Sequence, residues 1–147
     1  MSARDQIQED TKAAMKQRDR TRVGALRMLD AALKNAEIEA GRSLTDQEEQ
    51  TILRRQLKQR DESAEAFRKA GRDERAASES AEAEIVRLYL PEPFSSNELE
   101  AIVDRAIDET GATGMRDMGS VMGRAMELSE GRAEGRELSA LVRNRLQ

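Results

Sequence analysis

Both prolines of this 147-residue chain lie within three positions of each other, at Pro91 and Pro93. Proline lacks the amide that a helix interior or a central strand needs, and it biases the residue before it toward extended backbone. The run Leu90-Pro91-Glu92-Pro93-Phe94 is therefore a break, read as a stiff linker or, alternatively, a proline motif for a docking partner. Everything on either side is proline-free and open to long, uninterrupted elements. The expected domains are residues 1-92 and residues 93-147.

The residue types say which elements these are. Charged residues make up 37% of the chain and aromatics 2%, with no Trp, two Phe and one Tyr. A core must be assembled from Leu, Ile, Val, Met and Ala. With abundant Glu, Gln and Arg, that mixture suits helices and disfavours a sheet. The fold class expected is all-α: a four-helix N-terminal domain followed by a small three-helix C-terminal bundle.

Apolar spacing and helix punctuation place the seven helices. The first is expected from about Ala3 to Arg18, with Ile7, Thr11, Ala14 and Met15 on one face. The second runs from about Thr21 to Ala40, striped by Ala25, Leu29, Ala32 and Ala36, and Gly41 is a natural C-cap. Thr45 and Glu48 form a capping box for the third, which Gly71 ends. The fourth carries Ala77, Ala81, Ile85, Leu88 and Tyr89. Its middle, Ala76 to Glu84, is weakly hydrophobic and reads as partly exposed or mobile. A second capping box, Ser95 with Glu98, opens the stripe Leu99, Ile102, Val103, Ala106 and Ile107. Gly111 and Gly114 frame a turn before a glycine-bearing helix. After the Gly131 to Gly135 turn, the last helix is expected to bury Leu138, Leu141, Val142 and Leu146.

Several function classes are excluded or disfavoured. There is no cysteine, so disulfides and thiolate metal sites are absent, and no histidine, so Ser-His-Asp and Cys-His triads cannot exist. The acids form no calcium-loop motif. No catalytic residue, metal or cofactor is expected. No apolar run reaches the length of a membrane span, and Met1-Ser2-Ala3-Arg4-Asp5 is too polar for a signal-peptide core, so a cytoplasmic protein is expected. A net charge of −4 argues against tight non-specific binding to nucleic acid, DNA included, through overall charge. Any RNA contact must come from a local patch.

The most telling local sequence is Asp117-Met118-Gly119-Ser120-Val121-Met122-Gly123-Arg124-Ala125-Met126, followed by Gly131-Arg132-Ala133-Glu134-Gly135. Met118, Val121, Met122, Ala125 and Met126 share a helical face. Gly119 and Gly123 form a smooth strip beside it, each costing roughly 1 kcal/mol relative to Ala in a helix interior. Two readings explain the cost: close packing of a neighbouring helix, or a ligand or partner backbone lying on the glycines. Charge divides this half of the chain. Residues 95-110 hold five acids and one base, whereas residues 111-147 hold six arginines (Arg116, Arg124, Arg132, Arg136, Arg143, Arg145) and five acids. Arginine's planar fork suits phosphate, and a helix start near Gly135 would add amide donors. An ordinary solvated helical surface is the plain alternative.

The DMGSVMG and GRAEG runs resemble the signature of the GatB/YqeY family. That family comprises small free-standing YqeY-type proteins and the C-terminal tail of the B subunit of tRNA-dependent amidotransferases. Leu26-Arg27-Met28, the LRRQLKQR run from Leu53 to Arg60, and Tyr89-Leu90-Pro91-Glu92 are similar to the free-standing type. The resemblance implies a tRNA-contacting module that recognises the folded tRNA body, with contacts at Gly119, Gly123, Arg124, Arg132, Gly135, Arg136, Arg143 and Arg145. It also implies an association with aminoacyl-tRNA formation or amidation, in contact with an aminoacyl-tRNA synthetase or an amidotransferase subunit. The family's usual label is carbon–nitrogen ligation with glutamine as amide donor, which reads as inherited from the larger enzyme. Ser120 stands where the family often has Lys, which removes one candidate phosphate contact. Two readings remain beside a tRNA-binding adaptor: a protein-docking module, and a component with ligase activity. The clusters Arg18, Arg20, Arg22, Arg27 and Arg54, Arg55, Lys58, Arg60 read as solvated faces or as a second contact surface.

Overall fold

The computed structural model describes residues 1–147 and is all-α. The helices are α1 (Ala3–Lys16), α2 (Arg20–Ala40), α3 (Asp46–Lys69), α4 (Asp73–Arg87), α5 (Ser96–Thr110), α6 (Met118–Leu128) and α7 (Gly135–Leu146). A short 3-10 helix, Met115–Asp117, leads into α6. No helix is long and apolar enough to cross a membrane. Two compact units form, Met1–Pro91 and Glu92–Gln147.

Most helix ends follow from named side chains. Thr45 and Ser95 accept the amides of Glu48 and Glu98, whose carboxylates return to the cap amides, as expected. Ser2 and Asp5 form a third such box on α1. Gly41 and Gly71 close α2 and α3 with φ of +71° and +73°, in the left-handed region that glycine enters without steric cost. Helix α1 ends earlier than its apolar pattern suggests. Gln17 is its C-cap, and Arg18 turns left-handed with φ +58°. The amide of Arg18 then donates to the Met15 carbonyl and that of Asp19 to the Ala14 carbonyl, a Schellman closure with arginine where glycine is usual. Asp19, freed from α1, caps α2 by accepting the Arg22 amide.

In the first unit, Ile7, Ala14, Leu26, Leu29, Leu33, Leu53 and Val86 are buried together, with Tyr89 and Leu90 packed against them. The face of α4 differs from expectation. Ala76, Ala83 and Val86 are buried, while Ala77 and Ala81 are exposed and Leu88, just past the helix, is 65% exposed. Small alanines at this spacing allow α4 to lie close against α3. Ion pairs line the seam: Arg60 reaches Glu79 and Glu82, and Arg87 reaches Asp61. The weakly hydrophobic middle of α4 is partly exposed, as expected, and its buried side is made of small residues.

In the second unit, α5, α6 and α7 enclose Leu99, Val103, Ala106, Val121, Ala125, Ala133, Leu138, Val142 and Leu146. Leu141, expected in the core, is half-buried beside it.

Candidate nucleic-acid interface

The glycine-bearing helix turns Val121 and Ala125 inward against α5 and α7. Gly119 and Gly123 lie about half a turn round the helix from these two residues. Both glycines are exposed, and a Cβ added at either would meet no atom within 4 Å. Within the second unit the close-packing explanation of this strip therefore fails: neither α5 nor α7 lies on it. Ser120 is exposed beside the glycines.

The turn between α6 and α7 is tightly built. Glu130 and Gly131 both turn left-handed, with φ of +55° and +72°, and the Gly131 amide donates to the Met126 carbonyl. Ser129 is buried. Its Oγ donates to the Met126 carbonyl at 2.9 Å and accepts the Ala133 amide at 3.4 Å. Arg132 follows this anchor. Its guanidinium lies 4.4 Å from the Phe94 ring centroid and donates to the Glu92 carbonyl at 3.2 Å. The arginine thus ties the turn to residues just after the first proline. Gly135 is the first residue of α7, and Glu134 before it makes no side-chain cap, so no side chain of the cap position satisfies the opening turn.

The arginines separate into engaged and free groups. Arg124 donates to Glu109 on α5 and, at 2.9 Å, to Glu127 one turn along α6. Arg145 donates to Asp104 on α5 at 2.8 Å. The bonds from Arg124 and Arg105 hold the Glu109 carboxyl below the usual range. Arg136 and Arg143 are exposed and have no carboxylate within 4.0 Å. Gly119, Gly123 and Arg124 belong to α6, Arg132 to the turn, and Gly135, Arg136, Arg143 and Arg145 to α7. Arg136 and Arg143, seven residues apart, are two helical turns from each other. Arg116, also exposed and without an ion pair, stands one turn before Gly119 and joins the candidate set. Its Arg-x-x-Gly-x-x-x-Gly spacing is the signal that could have found it in the sequence. Asp117 beside it accepts the Thr113 and Gly114 amides at 2.9 and 3.3 Å, and these bonds hold its carboxyl low.

Fold and surface together describe a small helical protein with an open glycine strip on α6 and a few arginines that have no carboxylate partner. The chain belongs to the Yqey-like protein family, whose model matches residues 4–146. It is 30% identical over 129 residues to "Altered inheritance of mitochondria protein 41, mitochondrial" of Pyrenophora tritici-repentis, an alignment covering 86% of this chain and 71% of that protein. It is 41% identical over 58 residues to a glutamyl-tRNA(Gln) amidotransferase subunit of Thermococcus gammatolerans, covering 37% of this chain but 9% of that subunit.

Proposed function

We propose that this protein is a tRNA-binding adaptor that assists aminoacyl-tRNA formation or amidation and has no active site of its own. The observation that carries the reading is the open strip at Gly119 and Gly123. Two glycines inside an eleven-residue helix forfeit stability, and no other helix of the second unit fills the space they leave. A sugar-phosphate backbone can approach such a strip closely. Arg116, Arg136 and Arg143 supply free guanidinium groups for phosphate. The partial similarity to an amidotransferase subunit favours tRNA as the RNA. Aromatics are too few for base stacking, so recognition would rest on backbone and shape. The reading puts the protein's work in the cytoplasm.

The test exploits the missing contacts. Gly119→Ala and Gly123→Ala should each stabilise α6 by about 0.5–1 kcal/mol, because nothing obstructs the new methyl groups. Under this proposal the double variant melts higher yet binds a purified tRNA mixture more weakly. Arg136→Gln with Arg143→Gln weakens binding and flattens its dependence on salt, since each lost phosphate contact releases about one counterion fewer. A tighter fold with unchanged tRNA affinity sinks the proposed surface.

A protein-docking role is the second reading. It is favoured by the net charge of the second unit, seven arginines against eleven acids over residues 92–147, and by the carboxylate pairs that occupy Arg124 and Arg145. It expects a complex that survives RNase.

A further inference from the structure

The turn joining α1 to α2 concentrates positive charge. Residues 12–27 hold Lys12, Lys16, Arg18, Arg20, Arg22 and Arg27 against a single acid, Asp19. That acid is occupied, since its carboxylate accepts the Arg22 amide as the cap of α2. None of the six cations has a carboxylate within 4.0 Å, whereas Arg4, Arg42, Arg60, Arg68, Lys69 and Arg87 of the same unit are all paired. Five of the six are exposed, and Arg22 is half-buried beside Tyr89.

Local stability explains Lys16, in the last turn of α1, but not three of the arginines that follow it. Arg18 occupies a left-handed position, φ +58°, where a side chain is sterically disfavoured and glycine is the usual choice. Arg20 and Arg22 lie in the first turn of α2, which contains no acid, so both cations sit at the positive end of the helix dipole. Three successive choices thus oppose helix-end physics, and the mutual repulsion of six cations adds to them. Such conflicts concentrate where a surface serves a partner.

We infer that the α1–α2 turn is a docking surface for the phosphate backbone of double-helical RNA. Four of the six cations are arginines, whose forked guanidinium suits phosphate oxygens. No aromatic side chain lies in residues 12–27, so the surface lacks the stacking platforms of single-strand binders. Met15 is its one exposed large apolar residue, and the Arg27 guanidinium lies 3.8 Å from its sulfur, so no apolar face is available for insertion into a lipid leaflet. The surface belongs to the first unit and the glycine strip of α6 to the second, and the two proposals stand or fall independently.

The full-length chain is titrated into a fluorescent RNA duplex of ~16 base pairs, the length spanned by a shape-reading double-strand module, at several salt concentrations. The variant Lys16→Gln/Arg18→Gln/Arg20→Gln/Arg27→Gln is compared with an equal charge change elsewhere, Lys34→Gln/Arg68→Gln/Lys69→Gln/Arg72→Gln, and with the Arg136→Gln/Arg143→Gln protein. The expected result is a loss of about tenfold or more in duplex affinity and a salt slope shallower by about two to four for the first variant alone. Circular dichroism of the first variant should match the wild type, and its thermal melting should be no lower, since the substitutions relieve the repulsion at this turn. Equal effects in the first and control variants overturn the inference, as does a wild type that ignores the duplex. Loss of binding to phosphatidylserine vesicles or polyglutamate with duplex binding intact would assign the surface to another partner. A duplex lost only in the Arg136→Gln/Arg143→Gln protein overturns this inference while leaving the tRNA proposal standing.

Discussion

Glu49 is almost fully buried, at 3% exposure, and its two carboxylate oxygens accept the amides of Ala3 and Arg4 at 3.3 and 3.1 Å. A charge inside a helical unit is tolerated because it meets amides that α1 cannot satisfy itself. The sequence marks Glu48 as the capping-box partner of Thr45, but nothing in it marks Glu49 as buried, because the partners of Glu49 are more than forty residues away. Replacing Glu49 with Ala should cost about 1–3 kcal/mol, and Glu49→Gln less, since one acceptor survives. A lower urea midpoint with an unchanged slope would show this, and a midpoint equal to wild type would remove Glu49 as the tie. Glu48 behaves differently. Its bonds from Arg42 first, then from the amide and hydroxyl of Thr45, hold its pKa at about 2 instead of 4.5. A depressed carboxyl contributes stability above its unfolded pKa and loses it as pH falls through the folded value. Acid titration from pH 4.5 to about 2 should therefore weaken the first unit, and Glu48→Gln should flatten that part of the profile. Retention of the full acid slope in Glu48→Gln would assign it to other carboxyls.

Helix ends show where local chemistry suffices. Gly41, Gly71 and the boxes at Thr45 and Ser95 are self-contained signals of a few residues, and the structure realises each. The closure of α1 at Arg18 carries no such signal, because arginine enters the left-handed region only where the surroundings impose it. Arg18→Gly should relieve that strain and raise stability by up to about 1 kcal/mol, read as a higher melting temperature. An unchanged or lower melting temperature would mean that the bend is not strained. The same substitution removes a cation from the turn, so stability and duplex binding should move in opposite directions. Helix α4 is ambiguous for another reason. With alanines at Ala76, Ala77, Ala81 and Ala83, periodicity alone could not select the buried face; contact with α3 did.

At the scale of the whole chain, each unit encloses its own apolar cluster. Leu138 is wholly buried in the second, so Leu138→Ala should cost that unit roughly 2–5 kcal/mol. Hydrogen exchange should then lose protection across residues 92–147 while residues 1–91 keep theirs; uniform loss would show that the units unfold as one. Much was determined by the sequence itself: the helical class, the interruption at Pro91 and Pro93, most caps, and the apolar faces of α2, α5 and α7. These depend on interactions spanning four residues or fewer, or on a periodicity one helix carries alone. The tertiary structure decided the rest. It left the Gly119/Gly123 strip uncovered, engaged Arg124 and Arg145 with carboxylates of α5, stacked Arg132 on Phe94, and left Arg136 and Arg143 free. Whether a glycine is covered or an arginine is neutralised depends on atoms brought close by folding from distant positions, and no local pattern encodes them.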